Sequence, residues 1–196
     1  MPKLIDRAER RAEIAEALWR IVLRDGVSGV SVREVAAEAG ISVGSLRHVF
    51  ADKSELLEFS MRLIYDRVEE RVRAHARMRD PLRRAEAILA ELMPFDDNRR
   101  VEMHVNLALL TESVAHPGLA AAAREAYEGL RLLCLGVLTD LREHGLVATG
   151  ADLKSEAVRL HALVDGMAMH MLIDDRHGPT ARRTLAKHLK GLSTRG

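Results

Sequence analysis

The stretch Ser42-Val43-Gly44-Ser45-Leu46-Arg47-His48 sets short or hydrogen-bonding side chains around a single leucine. Side chains of these types suit the edges of base pairs. A guanidinium such as Arg47 donates two parallel bonds to a guanine edge, Ser45 or His48 donates one, and the methyl groups of Val43 meet the methyl of thymine. That chemistry requires a short rigid rod held in the major groove, with the polar side chains turned out of the protein and Leu46 turned in.

The flanking residues predict such a rod. Ile14, Leu18, Ile21 and Val22 recur on one face of a helix over about residues 4 to 25, and Asp25-Gly26 ends it. Ser31-Val32-Arg33-Glu34 reads as a capping box in which serine and glutamate each satisfy an amide, opening a second helix over 32–38. Gly40 interrupts, Ile41 plugs a core, and Ser42 caps a third helix through about Val49. Val32, Val35, Ala36, Ile41, Leu46 and Phe50 then form a small core with helix one, giving a helix-turn-helix. Any alanine-rich helical hairpin shares this spacing, so periodicity leaves DNA binding and plain packing both open. Asp52-Lys53-Ser54-Glu55 repeats the capping-box pattern and opens a fourth helix with Leu57, Met61, Ile64, Val68 and Val72 in one stripe. Lasting until just before Pro81, about 27 residues would make a rod of about 40 Å.

Breakers at Pro94, Pro117-Gly118, Gly145, Gly150 and Gly178-Pro179 divide the remainder into helices near 82–93, 97–115, 118–144, 152–176 and 179–191. No segment alternates as a strand would, so the fold class is all-α with about nine helices. Two segments carry apolar residues on two sides: Leu130, Leu133 and Val137 against Leu132, Leu135 and Leu138, then Leu160, Val164, Ala168 and Met171 against Leu163, Met167 and Ile173. A helix apolar on two sides packs twice. Either it is central in a monomeric bundle, or it also joins a four-helix dimer seam in which Gly129, Gly136 and Gly166 permit close approach.

The 196 residues carry a net charge of +1, and residues 1–50 hold eight basic against seven acidic side chains, so bulk charge does not decide for nucleic acid. A lone cysteine, Cys134, excludes an internal disulfide framework. It reads as a core thiol. With charges scattered through the first residues and no apolar run of about 18 residues, a cytoplasmic protein with no membrane partner is expected.

Enzyme signals are weak. Gly40-Ile41-Ser42-Val43-Gly44 fits the string of a nucleophile elbow, but that motif needs a preceding strand and here an alanine-rich helix precedes it. No glutamate has a histidine three residues later, and neither a phosphate-binding glycine loop nor a Cys-x-x-Cys pair is present. His161 with Asp165 and His170 with Asp174 share helix faces, yet two ligands fall short of the usual four. No catalytic residue, metal ligand or cofactor is assigned. A small-molecule pocket is drawn from Met61, Tyr65, Met103, His104, Leu107, Thr111, Tyr127 and His161, apolar walls with a few polar groups. Six aromatic residues in total argue against a cage for a choline-like cation.

ISVGSLRHVFADKSELL, following SVREVAAEAG, resembles the N-terminal signature of the TetR family of bacterial transcriptional regulators. Gly44, Ser45, Leu46, Phe50 and Lys53 match it, whereas Arg47 and Val49 stand where an aromatic is frequent. The body, with Leu163-Val164-Asp165-Gly166-Met167, is loosely similar to the subgroup containing the betaine-pathway repressor BetI. The resemblance implies that Ser31, Arg33 and Lys53 hold phosphates while Ser42, Val43, Gly44, Ser45, Arg47 and His48 face the groove. It also implies an effector that moves helix four. The expectation is therefore a DNA-binding head over 1–50 and a ligand-binding and dimerisation body over 51–196. Such a protein is a homodimeric repressor of a pseudo-palindromic operator, released by a small-molecule effector. The alternative is a helical-bundle binding protein or enzyme that uses the body cavity and never meets DNA.

Overall fold

The structure, a computed structural model, describes residues 7–193. Its helices are α1 (Arg7–Asp25), α2 (Val32–Glu38), α3 (Val43–Val49), α4 (Lys53–His75), α5 (Pro81–Ala90), α6 (Asp97–Glu112), α7 (Pro117–Glu143), α8 (Leu153–Ile173) and α9 (Gly178–Lys190). Single 3-10 turns lie at 27–29, 175–177 and 191–193, and no strand occurs among the described residues. The fold is all-α. No helix among the described residues is long and apolar enough to cross a membrane. The chain resolves into two compact units, Met1–Asp66 with Val101–Glu125, and Arg67–Arg100 with Ala126–Gly196. Helices α4, α6 and α7 contribute residues to both.

Local chemistry explains the first unit. Residues 4–6 of the predicted helix one lie outside the described residues, and from Arg7 onward its bounds are as expected. Gly26 closes α1 at φ 72°, a left-handed conformation that costs glycine nothing, with its N–H donating to the Val22 carbonyl at 3.0 Å. Ser31 Oγ caps α2 by accepting from the Glu34 amide at 3.1 Å. The reciprocal half of the predicted capping box is absent, because no bond returns from the Glu34 carboxylate. After α2, Gly40 turns left-handed at φ 65°. Its N–H reaches the Ala37 carbonyl and that of Ile41 reaches Ala36, closing the helix end in a Schellman motif. The chain is thereby redirected into Ser42, whose Oγ accepts from the Ser45 amide at 3.0 Å and starts α3. Ser42 is thus a helix cap preceded by helix and turn, with no strand to make it a nucleophile elbow.

The core of this unit joins Ile14, Leu18, Trp19 and Ile21 of α1 to Val35 and Ala36 of α2, Leu46 and Phe50 at α3, and Leu56, Leu57 and Met61 of α4. Val32, Ile41 and Val43 pack partly against it.

In the second unit, α4 stops sooner than its apolar stripe suggests, ending at His75 after 23 residues. Asp80 and Pro81 begin the next helix: the Asp80 carboxylate accepts from the Leu82 and Arg83 amides, and the residue before a proline avoids helical geometry. Arg84 secures the intervening turn by donating to the Met78 carbonyl while forking onto Asp140 of α7. The last turns of α4 are held by Glu91, which accepts from Arg71 at 3.1 Å, His75 at 2.9 Å and Arg99 at 3.2 Å.

Leu46 is the sole residue of α3 that is fully buried, at 1% exposed. Truncation to alanine leaves a cavity in a small core, so Leu46→Ala should lower the unfolding free energy by about 2–5 kcal/mol. Urea denaturation followed by circular dichroism measures it; a loss below about 1 kcal/mol would show that α3 is not anchored there.

Candidate nucleic-acid interface

With Leu46 inward, the rest of α3 divides as helical geometry requires. Ser45, Arg47 and His48 are exposed, as are Ser42 and Gly44, and Val43 is half-buried against the core. The expected reading surface therefore lies on one short helix, with Val43 shared between that surface and the interior. Ser42 and Ser45 hydroxyls lie 2.9 Å apart, so either holds the other in place. A hydroxyl that accepts an amide keeps its own proton to donate. Ser31 is in the same position at the start of α2, where it is exposed and its Oγ already accepts from Glu34.

Charge is sorted around this helix. Arg20 of α1 donates to Glu38 at 2.7 Å, and Arg24 donates to the same carboxylate at 3.1 Å. These two guanidiniums, Arg20 first, hold the Glu38 carboxyl below the usual carboxylate range. Arg10 pairs with Glu13, and Arg11 with Glu55. By contrast, Arg33 and Arg47 are exposed and Lys53 is half-buried at the first turn of α4, and no carboxylate among the described residues pairs with any of the three. An exposed cation with no carboxylate partner is free to meet an anion such as phosphate. The sequence offered eight cations in the first fifty residues, and proximity alone could not show which ones Glu38 and Glu55 remove.

The sequence profile described as "Bacterial regulatory proteins, tetR family" matches residues 14–58, and that described as "BetI-type transcriptional repressor, C-terminal" matches residues 81–194. The chain belongs to the TetR family. It is a TetR-family transcriptional regulator with a helix-turn-helix and a ligand-binding domain, and not an enzyme. It is 39% identical over 177 residues to the HTH-type transcriptional regulator PksA of Bacillus subtilis, covering 89% of this chain and 84% of that protein. It is 30% identical over 169 residues to the HTH-type transcriptional regulator BetI of Paraburkholderia phytofirmans, covering 85% and 84%. Among solved structures, a transcriptional regulator from Rhodococcus sp. Rha1 superposes with a TM-score of 0.80 at 28% identity, covering 94% of this chain and 96% of that one. A transcriptional regulator from Saccharomonospora viridis in complex with choline gives 0.75 at 25% identity, covering 96% and 97%.

The residues expected to line an effector pocket fall in both units of this regulator. In the first, Met61 is fully buried and Tyr65 is half-buried, its hydroxyl donating to Asn106 Oδ1 at 2.8 Å. Asn106 was not legible as a partner, since it lies 41 positions away on α6. Met103 and Leu107 are half-buried, while His104 and Thr111 are exposed. The latter two fall off the buried arc of α6 marked by Val105 and Leu109, and Thr111 Oγ1 donates to the Ala108 carbonyl of its own helix at 2.7 Å. In the second unit, the half-exposed Tyr127 ring lies against buried His161, with centroids 5.3 Å apart, and His161 Nε2 is 3.4 Å from Asp165. No group of three or more metal-ligating side chains is assembled among the described residues.

Cys134 on α7 is fully buried, and burial first, with the Asp165 carboxylate second, pushes its thiol up to about 12. A thiol so raised stays protonated through neutral pH, so iodoacetamide should label Cys134 only after denaturation. Mass spectrometry of native and urea-treated protein checks this; labelling at similar rates in both would contradict it.

Proposed function

We propose that this regulator is a repressor that binds a pseudo-palindromic operator as a homodimer and is released by a small-molecule effector. The observation that carries the reading is the set of unpaired cations, Arg33, Arg47 and Lys53, around an exposed α3. Arg47 with Ser45 and His48 addresses base edges, Val43 meets a thymine methyl, Ser42 and Gly44 face the groove, and Ser31, Arg33 and Lys53 hold phosphates. On this reading residues 1–50 form the DNA-binding head and 51–196 the ligand-binding and dimerisation body, and the protein acts in the cytoplasm.

A second copy supplies the second reading helix. Within the second unit, Tyr127 and Leu132 of α7 and Val158, Met169 and Ile173 of α8 are all exposed. Gly129, Gly136 and Gly166 have, apart from their chain neighbours and their own helix backbone, no atom within 4 Å of where a Cβ would stand. Large exposed side chains interleaved with open glycines suit helices that approach closely. Pairing α7 and α8 with their counterparts buries this face and presents two α3 helices, whose half-sites fall about one helical turn apart, about 34 Å.

The effector is taken up within the first unit, around Met61, Tyr65, Met103, His104, Leu107 and Thr111. It acts because it binds the DNA-incompetent arrangement more tightly, with a coupling of about 1–3 kcal/mol carried through α4. A quaternary ammonium is not the proposed class, for Phe50 and Phe59, whose rings meet, already contact the Arg11 guanidinium. Trp19 and Phe50 lie in the first core, Phe59 contacts Arg11, Phe95 lies under Arg182, Tyr65 bonds Asn106 and Tyr127 rests on His161.

Fluorescence anisotropy on a duplex selected from a random library tests the DNA arm. Arg47→Ala should cost about 1–3 kcal/mol and relax preference at particular base pairs. Lys53→Ala should weaken all duplexes alike and reduce the slope of log affinity against log salt by about one. Equal, sequence-independent losses from both would refute the assignment of roles. Sedimentation at micromolar concentration should show a dimer that Leu132→Glu converts to monomer. A wild-type monomer would remove the second copy from the proposal.

A further inference from the structure

We infer that Arg11 is a positioning residue: its guanidinium clasps the exit of α3 and so sets how well the protein distinguishes one duplex from another. The inference rests on the DNA-binding reading above. Arg11 stands on α1, where composition would count it as one more cation available to phosphate. Its side chain is instead largely buried.

The guanidinium carbon lies 4.4 Å from the ring centroid of Phe50 and the same distance from that of Phe59. Those rings are 5.3 Å apart and tilted by 55°, so one planar cation contacts two aromatic rings that already touch. One arm donates to the Val49 carbonyl at 3.3 Å, at the last residue of α3, where a cation also meets the negative end of the helix. Another arm donates to Glu55 Oε1 at 3.1 Å in the first turn of α4. Glu55 in turn accepts the Ala51 amide at 2.7 Å through its other oxygen, and the Glu55 amide is capped by Asp52 at 2.8 Å. Every residue from Val49 to Asp52 is thereby tied, directly or through Glu55, to one side chain of α1.

The consequence follows from the shortness of α3. Seven residues form two turns, and Leu46 alone among them is fully buried. Leu46, with Val43 and Val49 packed partly against the same core, sets the rotation of the helix about its axis, and its tilt is held at the ends. The entrance is held by the Ser42 cap, and the exit by the buried Phe50 ring together with Arg11, which contacts that ring and bonds the Val49 carbonyl. Arg47 and His48 directly precede Val49, so a shift of the exit carries their side chains with it. Bidentate contacts to a base edge tolerate only tenths of an ångström, whereas phosphate contacts by flexible lysines adapt. Loosening the clasp should therefore erode discrimination and spare non-specific binding. Lysine keeps the charge but lacks the flat face and the fork, so it cannot replace arginine here.

The test uses the full-length protein and a duplex that the wild type selects from a random library. Affinities for that duplex and for a scrambled one are measured across a salt series for wild type, Arg11→Lys, Arg11→Met and, as a phosphate-contact control, Lys53→Ala. Arg11→Lys and Arg11→Met should lower the ratio of selected to scrambled affinity by about tenfold, with scrambled affinity and salt slope unchanged. Lys53→Ala should leave the ratio intact and lower the slope by about one. A wild-type ratio in both Arg11 variants overturns the inference. So does a slope lowered by about one with both duplexes weakened alike, which would make Arg11 a phosphate contact. Thermal melts confirm that each variant is folded at the titration temperature. Should Arg11→Met be unfolded there, Arg11→Lys and Glu55→Gln decide, the latter removing the ion pair while leaving both rings in place. If the wild type selects no duplex at all, the DNA-binding reading fails first, and this inference with it.

Discussion

The side chain of Leu46 is the constraint from which the exposure of its polar neighbours on α3 follows. In a helix of two turns, burying one large apolar group leaves little choice about where its neighbours point. Leu46 is 1% exposed, and Ser45, Arg47 and His48 are exposed as a result. The cost of holding polar and cationic groups on such a short helix is met by its surroundings. Capping serines satisfy amides in the first turns of α2 and α3, the Schellman turn at Gly40 satisfies carbonyls at the end of α2, and Ile14, Leu18, Trp19 and Ile21 of α1 contribute to the apolar wall.

Around that helix, charge is arranged by subtraction. The first fifty residues are close to neutral, which for a protein that grips a polyanion looks unpromising. Glu38 takes up Arg20 and Arg24, and Glu55 with two aromatic rings takes up Arg11. Arg33, Lys53 and Arg47, which pair with no carboxylate among the described residues, lie at the start of α2, at the start of α4 and on α3. A surface can be locally cationic when the protein as a whole is not, provided that its acidic groups are spent elsewhere.

The second unit solves a different problem, that of ending long helices and leaving a face open. Arg84, tied to Asp140 and to the turn after α4, and Glu91, accepting from three basic side chains, bind the ends of α4, α5 and α6. Helices α7 and α8 bury Cys134, Val137, Leu138 and Leu141 and Leu160, Val164, Ala168 and Met171, and still expose Leu132, Met169 and Ile173. Of the second apolar side expected on these helices, Leu132 and Ile173 are exposed, whereas Leu138 and Met167 are buried with the first. Family membership spans both parts of the chain, since the N-terminal and C-terminal profiles match separately.

By itself the sequence determined the local elements, because caps, glycine turns and the helical period act over a few residues. Helix α2 has the bounds expected, α3 begins where Ser42 caps it, and the motif over Gly44 to Lys53 placed the chain in its family. Tertiary structure decided what depends on partners distant along the chain. Glu38 neutralises Arg20 from 18 positions away, Arg11 reaches Val49 across 38 and Glu55 across 44, and Asn106 meets Tyr65 across 41. It also ended α4 at His75, where Arg84 and Asp140 hold a turn that an apolar stripe alone would have continued. Periodicity reports which way a side chain points, but whether a cation faces solvent, a carboxylate or a pair of rings is fixed only when separate helices pack.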